Sequence, residues 1–203
     1  VWKQGEMSLL PAMTPLVSSA SGDCWVQSAV VSGQGVVFAA VNGVLHRNTG
    51  SVDATYTSPA LVGSRPVIAG GKVLVGSGSG IMSGDVGGSA LSALWTSSST
   101  ATPWWVKSRI IAAVGRDLHE LTLAGGNLDT HTALWTHPSP TWTWAAVCEA
   151  PGAILAAGRD GGYGAIYRFA LESSGGSTPV LGAAVQVASF PPGEEVYAMD
   201  VYL

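Results

Sequence analysis

Four histidines and a short acidic stretch are the residues of this chain best suited to acid–base or metal chemistry. His46, His119, His131 and His137 are scattered, and the five residues between His131 and His137 do not match the short ligand spacing of zinc sites. They read as polar side chains in loops or at strand edges. Asp117, Glu120 and Asp129 lie close in sequence, but carboxylates with divided acid and base roles are defined by geometry, not by order. No G-x-S-x-G nucleophile motif occurs. Cys24 and Cys148 read as small buried hydrophobes, since a disulfide would need their Cα atoms within about 7 Å. The sequence therefore predicts no catalytic residue, no metal site and no cofactor, and a protein that is not an enzyme.

The eight tryptophans carry the stronger signal. Trp104-Trp105 and Trp142-Thr143-Trp144 each follow a proline closely, and alternation along a strand puts Trp142 and Trp144 on one face. Exposed, Trp104, Trp105, Trp142 and Trp144 would form a glycan-stacking platform. Packed inside, each would bury on the order of 150–250 Å² in a wedge between sheets, which is the simpler reading. Gly115-Arg116-Asp117 and Gly158-Arg159-Asp160 invite an adhesion reading, but Gly and Asp after an apolar strand equally make a turn.

Aliphatic runs ending in small residues must position these groups. Val36-Val37-Phe38-Ala39-Ala40, Val73-Leu74-Val75-Gly76, Ile110-Ile111-Ala112-Ala113 and Ile154-Leu155-Ala156-Ala157 recur at intervals of about 36 to 44 residues, a period suited to four-stranded propeller blades. Residues 29–40 overlay residues 146–157 without gaps, as strand, Gly-containing turn and strand. Ala93-Leu94-Trp95-Thr96 and Ala133-Leu134-Trp135-Thr136 are identical and read as outer strands. The expected architecture is an all-β propeller: about four four-stranded blades over 24–58, 65–98, 104–136 and 142–189, with 194–203 opening another, in a ring that closes on these blades or extends to more. Each blade should have strands of roughly five residues, an apolar inner pair and a polar outer pair. Asn42-Gly43 is the clearest tight turn. Residues 1–22 read as an extended lead-in, and the run ending at Leu203 as a strand whose partner is missing, so the chain is expected to be a fragment.

Composition narrows the classes. Charged residues make up 11% and hydrophobic residues 47%, yet the apolar runs are strand-length and broken by Gly or Ser, so none spans a bilayer as a helix. A net charge of −4 without a Lys/Arg cluster argues against a nucleic-acid partner. Ser83-Gly84-Asp85-Val86-Gly87 is similar to the start of the Asp-box turn of sialidase-like propellers, but Ala90 stands at its aromatic position and the motif occurs once. A Gly-rich turn explains it.

Thr141-Trp142-Thr143-Trp144-Ala145-Ala146-Val147-Cys148, then Gly164-Ala165-Ile166-Tyr167-Arg168-Phe169, then Pro191-Pro192-Gly193-Glu194-Glu195-Val196-Tyr197 resemble the propeller minor tail and tail-tip proteins of tailed phages infecting actinobacteria. The resemblance covers the last third of the chain. It implies a virion structural protein of the tail, in several symmetric copies among other tail proteins, contributing to attachment to a host-surface glycan; it brings no catalytic residues. The alternative is a secreted or cell-surface glycan-binding propeller.

Overall fold

The computed structural model describes residues 24–31, 34–41, 44–48, 53–56, 66–106, 109–172, 180–192 and 194. These residues form strands and turns, with no helix among them, and so no helix long and apolar enough to cross a membrane. The strands make four antiparallel sheets of four, each a meander of consecutive strands. The first holds β1 (Cys24–Val31), β2 (Gln34–Val41), β3 (Val44–Asn48) and β4 (Asp53–Thr55). The second holds β5 (Val67–Ala69), β6 (Lys72–Ser77), β7 (Gly80–Asp85) and β8 (Ser92–Thr96). In the third are β9 (Ala101–Val106), β10 (Arg109–Val114), β11 (Asp117–Ala124) and β12 (Asn127–Thr136). The fourth comprises β13 (Thr143–Ala150), β14 (Ala153–Arg159), β15 (Gly164–Glu172) and β16 (Val180–Phe190). The lead-in over 1–22, the Asn42-Gly43 turn and all of 194–203 except Glu194 lie outside the described residues, although Val41 pairs with Val44 across that turn.

The second strands explain why the sheets associate. Every residue of β10 is buried, and β6 is buried from Val73 onward. A strand shows alternate residues to opposite faces, so a strand buried throughout needs a partner on each side. Val73 and Val75 of β6 enter a core shared with Phe38, Ala40 and Leu45 of the first sheet, whereas Leu74 enters one shared with Ile110, Ala112 and Val114 of β10. The other β10 face sends Ile111 and Ala113 into a third core with Ile154, Ala156 and Phe169 of the fourth sheet. Three interleaved cores thus join four sheets in chain order. The first strands also neighbour one another in succession, β1 with β5, β5 with β9, and β9 with β13. Fourth strands are the most exposed, β12 above all.

The repeated Ala-Leu-Trp-Thr has a structural cause. Ile81 pairs with Trp95 and Met82 with Ala93, so Leu94 is the extra residue of a β-bulge; likewise Leu118 pairs with Trp135 and His119 with Ala133, leaving Leu134 extra. A bulge interrupts alternation and turns two consecutive side chains toward one face. Leu94 and Trp95 both pack on the core between the second and third sheets, and Leu134 and Trp135 both pack on the next core. Gly80, at φ +133°, lies so close to the Trp95 carbonyl that a Cβ there would strike its oxygen.

Several expectations shift in detail. Strands run from three residues in β4 and β5 to eleven in β16, because the β11–β12 and β15–β16 hairpins each absorb extra length through two register shifts. β9 begins at Ala101 rather than Trp104, since Pro103 sits on an edge strand where its missing N–H costs no ladder bond. The gapless overlay of 29–40 on 146–157 is two residues out of register: β1 and β2 close at Val31 with Gln34, β13 and β14 at Ala150 with Ala153. A slip of two keeps every side chain on its face, so the hydrophobic pattern does not betray it.

Charge inside the third sheet is compensated. The Arg109 guanidinium donates to Glu120 at 2.5 Å, and both side chains are largely removed from solvent. The Lys72–Asp85 pair at 2.8 Å joins directly opposed residues but leaves Asp85 mostly exposed. Glu120→Ala should therefore destabilise the protein by about 1.5–3 kcal/mol by removing a charge-assisted bond to the buried guanidinium, while Asp85→Ala should cost about 1 kcal/mol or less. Urea unfolding of the two variants checks this ordering.

Candidate functional site

Two of the four candidate platform tryptophans are interior. Trp142 is 1% exposed and Trp144 is buried beside it, their rings 5.6 Å apart, in the core between the third and fourth sheets. Neither is available to stack on a sugar, because the bulge between Trp144 and Ala146 and the approach of β12 close this face. Trp104 is half-buried against the same core, and Trp105 is 47% exposed. Trp104 and Trp105 line a cavity of about 200 Å³ with Pro66, Val67, Ile68, Pro103 and Val147. First strands of three successive sheets converge there.

Trp142 is held from both sides. The His137 ring stacks on it at 3.8 Å and 10°, and a Cβ on Gly158 would lie 2.5 Å from its indole nitrogen. Glycine at 158 is what lets the indole lie on β14. The indole Nε1 has no hydrogen-bond partner among the described residues, so Trp142 is held by packing. Trp144 instead donates its indole N–H to the Arg116 carbonyl at 3.0 Å.

A buried polar chain runs beneath these rings. His137 Nδ1 accepts from the Ser139 N–H at 3.1 Å, which puts the ring proton on Nε2, where it donates to the Tyr167 hydroxyl at 2.9 Å. Burial lowers the His137 pKa from its ordinary value, with Arg116 acting the same way and Asp160 opposing. Burial also pushes the Tyr167 phenol up to about 12, helped by its hydrogen bond with Tyr163. Both groups are therefore neutral at pH 7, and the chain fixes ring orientations rather than moving charge.

Above it opens a cleft of about 400 Å³, lined by Thr141, Thr143, Arg159, Asp160, Gly161, Tyr163, Pro191, Pro192 and Glu194. Asp160 shapes its floor: one carboxylate oxygen accepts from the N–H groups of Gly162 at 2.8 Å and Tyr163 at 3.1 Å, in an Asx-type turn. Those bonds, led by Gly162, with the Ser139 hydroxyl second, hold the Asp160 pKa below its ordinary value. Tyr163, 37% exposed, rests on Trp142 at 5.8 Å and lines the cleft. Two carboxylates, two threonine hydroxyls, a guanidinium and one tyrosine around an open cleft suit a small polyhydroxylated or polar ligand.

The remaining sequence candidates are separated. The two Gly-Arg-Asp tripeptides are not equivalent: Gly115-Arg116 is the two-residue turn between β10 and β11, whereas Gly158 and Arg159 lie inside β14 and only Asp160 enters a turn. Glu120 is bound to Arg109, and Asp129 accepts from Thr122 at 3.4 Å. Of Ser83-Gly84-Asp85-Val86-Gly87, the first three end β7 and Val86-Gly87 make the turn that follows, with Asp85 held by Lys72. Cys148 is buried in β13. His46 lies on β3, and His119 and His131 meet at the outer side of the third sheet. Among the described residues no three His, Cys, Asp or Glu side chains converge on a metal-binding point. Tyr163 escaped sequence reasoning, although the Asp160-Gly161-Gly162 run before it is a legible turn signal. The His137–Trp142 stack left no such signal, because it forms across a turn. No protein-family model matches the chain, and no curated protein matches it.

Two outcomes follow for stability. Trp142→Ala should cost about 3–5 kcal/mol through its cavity, whereas Trp105→Ala should cost about 1 kcal/mol or less; thermal melts distinguish them. His137 has a folded pKa below its unfolded 6.5, so its contribution is complete above pH 6.5 and is lost as pH falls through the folded value. His119, lowered by burial and by His131, adds in the same direction. The melting temperature should drop between pH 7 and pH 5, less steeply in His137→Asn than in the parent.

Proposed function

We propose that this chain is a β-propeller scaffold of a phage tail tip that contributes to host-surface attachment. The observation that supports it best is the succession of four-stranded meanders whose first strands adjoin in chain order and whose second strands are buried on both faces. That is how blades share cores around an axis. The resemblance of the last third to tail-tip propellers supports the virion setting. In this reading the sheets do no chemistry; they form a rigid support whose loops and outer strands meet neighbouring subunits and the host surface, in several symmetric copies.

A secreted or surface glycan-binding propeller is the second reading, favoured by the cleft over Trp142, where Tyr163 stands exposed above a fixed Asp160 turn. Trp142 and Trp144 act there as foundation rather than as platform.

Peptide mass spectrometry of purified particles separates the readings. Peptides of this chain in stoichiometric amounts with tail proteins are expected; their presence only in medium or cell envelope would overturn the virion reading. Under the second reading, Tyr163→Ala should abolish retention on a glycan array at a temperature where a thermal melt shows the variant still fully folded, and unchanged retention would overturn that reading.

A further inference from the structure

On the outer side of the third sheet, away from the cleft, His119 of β11 and His131 of β12 face each other across the strand pair. His119 Nδ1 and His131 Nε2 are 2.9 Å apart, with ring centroids 4.9 Å apart. His131 is exposed and His119 half-buried. Trp95, from β8 of the second sheet, packs against both rings, at 5.0 Å from His119 and 4.8 Å from His131. The bulge at Leu94 aims Trp95 this way, so the rings are braced by the neighbouring sheet as well as by their own strands.

Two bonds of about 2.0–2.1 Å from one metal ion, meeting at about a right angle, place their nitrogens about 2.9 Å apart. A tetrahedral angle would need them near 3.4 Å on the same bond lengths. We propose that His119 Nδ1 and His131 Nε2 form a cis chelate for a late first-row divalent cation, Cu(II) by preference, with solvent completing its coordination. The 2.9 Å separation is that of the hydrogen bond the rings share, and rotation of either ring turns both lone pairs onto one ion; Cu(II) accepts cis nitrogens at about a right angle and stands highest in intrinsic affinity for imidazole.

Binding requires a lone pair on each facing nitrogen. In the metal-free pair one of them carries the proton of the hydrogen bond between the rings. That proton moves to the far nitrogen of the same imidazole, so two neutral rings become two neutral ligands with no net proton release. Burial and the adjacent His131 lower the His119 pKa, with Asp117 opposing, which keeps the proton from competing at pH 7.

The test uses the untagged full chain at pH 7.5, titrated with CuCl2 in the presence of glycine to suppress weak sites. One equivalent of Cu(II) is expected, with two equatorial imidazole nitrogens resolved by electron paramagnetic resonance, and with quenching of tryptophan emission that is mostly lost in Trp95→Phe. His131→Asn should weaken binding by more than about tenfold, since even outer-shell partners count on that scale. His46→Asn should leave it unchanged. Ni(II) should follow more weakly, and Zn(II) more weakly still. An oxygen-only or single-nitrogen spectrum of the parent chain would overturn the proposal, without recourse to any variant. So would undiminished binding in a folded His119→Asn/His131→Asn double variant.

Discussion

A β-strand whose residues are buried on both faces cannot be satisfied by one neighbour, and the rest of this structure follows from that constraint. β6 and β10 each divide their side chains between two cores, so the second and third sheets exist as folded objects only with company on both sides. Backbone hydrogen bonds run within sheets and fix their internal register, whereas association between sheets rests on side chains, by packing and by a few hydrogen bonds such as that of Trp144 to the Arg116 carbonyl. The array is therefore stiff within each meander and is held across meanders by surface that water would otherwise cover.

The interface between the third and fourth sheets departs from its aliphatic neighbours. Trp135, Trp142, Trp144, Tyr167 and Phe169 gather there around His137, a residue one would not choose for a core. Stacking and two hydrogen bonds make the neutral imidazole fit, and its orientation is transmitted through Tyr167 toward Tyr163 at the surface. A rigid aromatic foundation thus lies directly beneath a concave polar part of the molecule. The polar chain ties the position of an exposed ring to the packing of a buried one.

The all-β class, the four-sheet repetition and the outer position of the Ala-Leu-Trp-Thr strands were legible because they depend on short-range pattern: aliphatic runs, turn residues and identical tetrapeptides. What stayed hidden depends on contacts between sheets. Nothing local to Trp142 tells burial from exposure, since its fate is decided by His137 on one side and Gly158 on the other. Tyr163 joins the cleft because Asp160 binds two backbone amides, a turn whose direction the sequence does not specify. His119 and His131 looked scattered because strand pairing, not spacing along the chain, brings them together.

The two-residue slip between the first and fourth hairpins bears on how such an array diverges. Because a strand returns to the same face every second residue, insertions and deletions in pairs leave interior and exterior assignments intact, and a hairpin tolerates them as changes of length alone. A single-residue insertion would turn the strand inside out unless a bulge absorbs it, as Leu94 and Leu134 are absorbed here. Indels in the repeats should accordingly be counted by parity, with odd steps accumulating where a bulge already stands.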